Sequence, residues 1–203
     1  MADLVTLQQY KDFAGLQGVQ NDARINTIID QVSQLVKSYC STTIIDYAAT
    51  NKTEFFTVKD DLVDTIILEE SPIIAVVSVE ERTGQADPYV TLITENSNNS
   101  GKYEYVVNDD SDSITRTSGS GNKSWPKGPK SVKVVYKAGY VSTPDDLKLA
   151  VFDLIKYYLK DERKERMSIA GATVENAVSS SLTGNIGFPD HIKRILDMYK
   201  IYS

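Results

Sequence analysis

The sequence contains one cysteine, Cys40, and one histidine, His191, among 203 residues. A single thiol excludes an internal disulfide, and Cys40 closes a helix-patterned apolar face, where it reads as a small buried hydrophobe rather than a nucleophile. His191 stands in the first turn of the last helix pattern, beside its apolar stripe, and reads as a packing or surface residue rather than a general base. Neither has a neighbour at zinc-ligand spacing. No metal and no cofactor is expected. No apolar run approaches the roughly 20 residues needed to cross a bilayer, so no membrane partner is expected. The opening Met1-Ala2-Asp3-Leu4 lacks the basic-then-apolar profile of a secretion signal, which points to assembly in a cytoplasm.

A basic patch is missing too. The net charge is −6. Residues 1–42 carry four acids and three bases, residues 43–142 fifteen and ten, and residues 143–203 nine and nine. Nucleic-acid grip draws most of its affinity from neutralised phosphates. A chain of this balance lets DNA slide past or repels it.

Two short motifs come close to chemistry and fall short. Asp109-Asp110-Ser111-Asp112 clusters carboxylates but lacks the glycine and the closing glutamate of a calcium loop. It reads as a solvated acidic turn. Gly119-Ser120-Gly121-Asn122-Lys123-Ser124 lacks a glycine directly before the lysine, and Trp125-Pro126 stands where a phosphate loop needs a helix. It reads as a hairpin tip. Nothing in the sequence gathers an active site, and the expectation is a protein that is not an enzyme.

What the chain has is clear periodicity. Thr6 caps a short helix ending near Leu16, and Asn21 or Asp22 opens a longer one to Tyr39. Ile25, Ile28, Ile29, Val32, Leu35, Val36 and Tyr39 form one face of that second helix, with Arg24, Asn26, Gln31, Gln34 and Lys37 on the other. From residue 42 to 140 the period becomes that of strands, at 53–58, 64–68, 73–79, 89–93, 103–107 and 132–137. The polar links 94–101 and 117–124 between them read as exposed loop tips. At Gly139 the last strand turns sharply into Thr143-Pro144, with Thr143 as N-cap and Asp145 and Asp146 against the positive end of the next helix. Leu147, Ala150, Val151, Leu154, Ile155 and Tyr158 line one face of that helix, which extends over 145–166. Residues 168–187 form a long, weakly patterned stretch of the kind that is functional or mobile. Pro189 begins a last helix with Ile192, Ile195, Leu196, Tyr199 and Tyr202 on one side.

The fold class is therefore α+β: four helices with a β-rich insertion, an antiparallel sheet or small barrel, between the second and third. Residues 1–42 and 143–203 pack as one helical domain, and residues 43–142 form the insertion. The charged run 160–166 reads either as a solvated helix end or as a surface that pairs with a neighbouring subunit. Twelve tyrosines, several at helix faces and ends, favour subunit contact.

The ordered set Tyr39-Cys40, Pro72-Ile73-Ile74-x-Val76-x-Ser78-Val79, Trp125-Pro126, Tyr136-x-Ala138-Gly139-Tyr140, Pro144-x-Asp146-Leu147-x-x-Ala150 and Pro189-x-x-Ile192-x-x-Ile195-Leu196 resembles the head–tail connector, or neck adaptor, proteins of tailed bacteriophages. The resemblance spans residues 4–200, and its specificity lies in the order of the motifs. It implies a homo-dodecameric ring beneath the portal protein of the filled head, extending the DNA channel and presenting a surface to the next neck or tail-completion protein. The terminal helix would dock on the portal through Ile192, Ile195, Leu196, Tyr199 and Tyr202. A channel that DNA passes without specific binding favours acidic walls, and Asp109, Asp110 and Asp112 are the candidates. The stretch 168–187 would become ordered on docking. Two other readings rest on the β-segment alone: a tail-completion or terminator ring, and an unrelated β-rich binding module.

Overall fold

The computed structural model describes residues 2–93, 103–118, 121–160 and 188–201 in full, and residues 166–169 and 172–175 as backbone. The chain divides into two compact units, Met1–Thr42 with Ser142–Tyr202 and Thr43–Val141. The first holds helices α1 (Leu7–Ala14), α2 (Asp22–Cys40), α3 (Asp145–Leu159) and α4 (Asp190–Asp197). The second holds eight strands among the described residues, all lying between α2 and α3 in chain order.

In the helical unit, Thr6 and Gln9 form a reciprocal capping box at the start of α1, and Gly15 ends it in the left-handed region at φ 64°. The apolar face of α2 buries Ile25, Ile29, Val32, Val36 and Cys40, and α3 buries Leu147, Ala150, Val151, Leu154 and Ile155. Each large aliphatic side chain so buried contributes about 1.5–3 kcal/mol against exposure. Lys37 departs from its expected place on the polar face. It is 4% exposed, and its Nζ donates to the Ala2 carbonyl at 2.7 Å. Its long aliphatic stem lets it cross to the buried side while the ammonium reaches a carbonyl. Thr143 is not the cap of α3. Pro144 holds that position, while the Thr143 hydroxyl donates to the Leu4 carbonyl at 2.6 Å. The helix ends at Leu159 and not at 166, because the apolar stripe that holds it stops there. Beyond it, Arg166–Ile169 pairs antiparallel with Ala172–Glu175 as β9 and β10, from the expected end of the helix into the stretch 168–187 that the sequence leaves without pattern.

The β unit contains β1 (Lys52–Val58), β2 (Thr65–Ile67), β3 (Ile73–Glu81), β4 (Val90–Thr91), β5 (Tyr105–Asn108), β6 (Ser113–Ser118), β7 (Gly121–Asn122) and β8 (Gly128–Ala138). One four-stranded sheet runs β1-β8-β3-β4, and a second runs β2-β6-β5 with β7 paired to β6. Every pairing is antiparallel. The inward residues of both sheets share one core, with Val79, Val132, Val134 and Tyr136 meeting Ile66, Tyr105, Ile114 and Trp125. The link expected over 117–124 is in part a strand pair, Thr117 opposite Asn122 and Ser118 opposite Gly121. The link 94–101 lies outside the described residues. Gly139 has a structural reason to be glycine. At φ 91° its backbone lies so close to Ile44 that a Cβ would fall 2.3 Å from the Ile44 carbonyl oxygen.

Candidate functional site

The terminal helix is the first candidate surface, and its own chain claims most of its apolar side. Pro189 sets the N-cap position of α4 and leaves no donor wasted there. Ile192 and Leu196 are buried, at 1% and 0% exposure. The Leu196 carbonyl accepts from the Cys40 thiol at 3.6 Å, and the Cys40 carbonyl accepts from the Ile201 N–H at 2.9 Å. Tyr39 packs edge-on to Phe188 with centroids 5.1 Å apart, donates to Asp197, and carries the Lys200 ammonium 4.9 Å above its ring. Tyr199 donates to Asp146 at 2.6 Å. Of the expected docking face, Ile192 and Leu196 are buried within the chain. Ile195 and Tyr199 stay half-buried, Met198 is exposed, and Tyr202 lies outside the described residues.

The acidic turn is the second. Asp109 and Asp110 form an exposed 3-10 turn between β5 and β6. Asp112 does something else. In the left-handed region at φ 45°, its carboxylate accepts from the Ser71 hydroxyl at 2.6 Å and from the Ile73 N–H at 2.9 Å. Its charge is spent on fixing the start of β3, so of the three acids proposed to line a channel it is the one committed to structure.

Sequence reasoning missed two charged clusters inside the β unit. Arg116 of β6 is 2% exposed, and its Nε and Nη2 each donate to Glu81 of β3 at 2.9 Å. Its Nη1 donates to the Glu104 and Thr117 carbonyls, and its guanidinium lies 5.9 Å from the Trp125 ring centre. One side chain thus ties the two sheets together through a two-point contact that lysine cannot make. On the other side of the core, Tyr136 donates to the buried Glu54 and accepts from the Glu70 N–H at 3.2 Å. Lys52 reaches Glu54 at 2.7 Å and Glu69 at 3.0 Å, while Glu70 accepts from the Thr43 N–H. Burial first, and then the neighbouring Glu54, push the Tyr136 phenol well above its ordinary range. No single position announces these clusters. Their members come from strands far apart in the chain, and only an isolated arginine in a polar run hints at the first.

These clusters are paired and closed. Among the described residues no three His, Cys, Asp or Glu side chains converge as metal ligands, and no helix is long and apolar enough to cross a membrane. His191 is exposed. Burial, followed by the charge of Asp197, pushes the Cys40 thiol up to about 12, leaving it inert at neutral pH.

The sequence matches the model of the head completion protein family over residues 3–202. The chain belongs to that family. No curated protein matches it in sequence, but solved structures share its fold. The neck of an empty GTA particle computed with C6 symmetry aligns at a TM-score of 0.57 and 15% identity, over 98% of this chain and 91% of that one. The neck of a native GTA particle computed with C12 symmetry aligns at 0.58 and 12%, over 100% and 95%. The virion of a native gene transfer agent particle aligns at 0.56 and 14%, over 98% and 91%. The resemblance drawn from the ordered motifs, to head–tail connector proteins of tailed bacteriophages, and the match to the head completion family point the same way.

Proposed function

We propose that this head completion protein forms a ring beneath the portal of a DNA-filled phage head, extends the DNA channel and joins the head to the next neck or tail-completion protein. The observation that carries this reading is the family match over almost the whole chain, supported by a fold shared end to end with neck components of symmetric particles. The chemistry agrees. The chain offers no cluster fit for turnover among its described residues, and its acid excess suits a passage for DNA, which fixed cations would stall. Asp109 and Asp110, exposed on their turn, are the proposed channel acids. At the end of the chain the portal contact falls to Ile195 on α4 and to Met198, Tyr199 and Tyr202 after it. A dodecamer is the proposed stoichiometry in the virion, with assembly in the host cytoplasm.

Purified protein mixed with DNA-filled, tailless heads tests this. Electron microscopy is expected to find a ring at the portal vertex and retention of DNA by those heads. Protein that collected instead on free tails would move it to the tail side of the joint, and protein that bound neither would refute the proposal.

A further inference from the structure

The outer face of the sheet β1-β8-β3-β4, turned away from the core it shares with the second sheet, is chemically unlike the rest of the β unit. Thr53, Phe55 and Thr57 stand exposed on β1, with Lys133, Val135 and Lys137 beside them on β8; Thr53 lies opposite Val135, and Phe55 opposite Lys133. Phe55 and Tyr89 sit with ring centroids 6.2 Å apart, the Lys130 ammonium is 5.5 Å from the Phe55 ring, and Tyr89 donates to the Lys130 carbonyl at 2.6 Å. Arg82, Lys130, Lys133 and Lys137 thus gather on one face. Against them stands Glu80, paired to Lys133 at 3.0 Å, with Asp87 turned to Thr83 in the adjoining loop. This basic, aromatic face belongs to a segment in which acids outnumber bases fifteen to ten.

The acids are concentrated elsewhere. The turn from β1 to β2 exposes Asp60, Asp61 and Leu62 after Lys59, and Leu62 is 89% exposed. The salt bridge made there joins Asp61 to Lys127 at 3.5 Å, with both side chains mostly in solvent, a pairing that contributes little. Among the described residues Leu62 is one of the most exposed large hydrophobics. The exposed Asp60 and Leu62 of the tip match Lys130 and Phe55 of the face in charge and in apolar character, and they belong to different patches, the arrangement that closes a ring head to tail.

We propose that this face receives the Asp60-Asp61-Leu62 tip of the next copy in the ring, with Leu62 against Phe55 and Val135 and the two carboxylates against Lys130 and Lys137. This rests on the ring reading above. DNA is the less suited occupant. Arg82 spends its guanidinium on the Lys130, Gln85 and Pro129 carbonyls and Lys133 is neutralised by Glu80, which leaves too few cations to hold a phosphate backbone.

Two singly substituted full-length proteins, Phe55→Cys and Leu62→Cys, provide the test when mixed, assembled on portal-bearing heads and oxidised. A covalent dimer is expected from the mixture and from neither protein alone. Dimers from Phe55→Cys alone would mean that like faces meet, and rings seen by microscopy without a dimer in the mixture would mean that other surfaces meet. Either outcome overturns the proposal while leaving the ring intact. Heads on which even the unsubstituted protein forms no ring would refute the ring reading, and this contact with it. Reversing charge with Lys130→Glu and Lys137→Glu is expected to cut ring-bearing heads roughly tenfold, and adding Asp60→Lys and Asp61→Lys in the same chain to restore them. A ring yield unmoved by the lysine reversal would contradict the contact.

Discussion

Among the described residues the helical unit buries little charge, while the β unit buries several charged groups beside its apolar core. Ile25, Ile29, Val32, Leu147, Val151, Leu154, Ile192 and Leu196 are buried on α2, α3 and α4, and among the described residues the one buried charge of that unit, Lys37, reaches a backbone carbonyl. Around Tyr136 and Trp125, by contrast, the sheets enclose Glu54, Glu70 and Arg116. Burying an ion costs several kcal/mol, which only full pairing offsets. What the β unit gains is a fixed relation between its two sheets, since Arg116 fits only when Glu81 arrives opposite it. The two units should therefore fail in different ways: one by losing volume, the other by losing a partner.

The sharpest way to break this contrast is Arg116→Met. It strands the Glu81 carboxylate, 15% exposed as a side chain, and is expected to cost about 3–5 kcal/mol. Trp125 is the only tryptophan and lies in the same core, so its fluorescence during urea unfolding reads the loss. A cost below about 1 kcal/mol would mean the carboxylate finds water, and that the cluster does not hold the sheets. Leu196→Ala should cost about 2–5 kcal/mol through the cavity it leaves, read by far-ultraviolet circular dichroism. Little change there would mean that α4 is not part of the core.

Alkali separates the units next. The Cys40 thiol keeps its proton in the fold to about pH 12, while in the unfolded chain it releases it near the usual 9.0. The stability this gives the helical unit is present below pH 9 and is lost as pH rises above it. Tyr136 and Tyr105 are raised above the usual 10.0, so the β unit starts to lose stability only above pH 10. Circular dichroism at 222 nm is expected to weaken before Trp125 fluorescence changes, and Cys40→Ala should abolish the lead. The smallest effect on stability is expected from Ile195→Asp. Its side chain is half-buried, so the melting temperature should move by a few degrees at most while attachment to portal-bearing heads is lost. Global unfolding would return Ile195 to the core with Ile192 and Leu196.

The helices were largely legible because their signals are local. The 3-4 spacing along α2, the Thr6 capping box and Pro189 lie within a few residues of what they control. The β unit was legible where strands are apolar, at β1 to β5 and β8, and illegible at β6. Ser113–Ser118 carries Ile114 among serines, threonines and an arginine, and its place in the core depends on Glu81, 35 residues away. No local pattern carries such a partner. The end of α3 was misjudged because the apolar stripe stops before the charged run that follows Leu159, whose helix propensity alone does not fix a boundary. The terminal helix was half legible for a related reason. An amphipathic stripe says that a face is buried, not against what, and Ile192 and Leu196 are buried within their own chain.

The most direct test of the central claim is a reconstruction of the neck of assembled particles. A closed ring of this chain between portal and tail, with the helical unit and the β unit of every copy fitted in density and the channel open along the axis, is the result expected. A neck complete without this chain, or copies of it found only at the far end of the tail, would contradict the account.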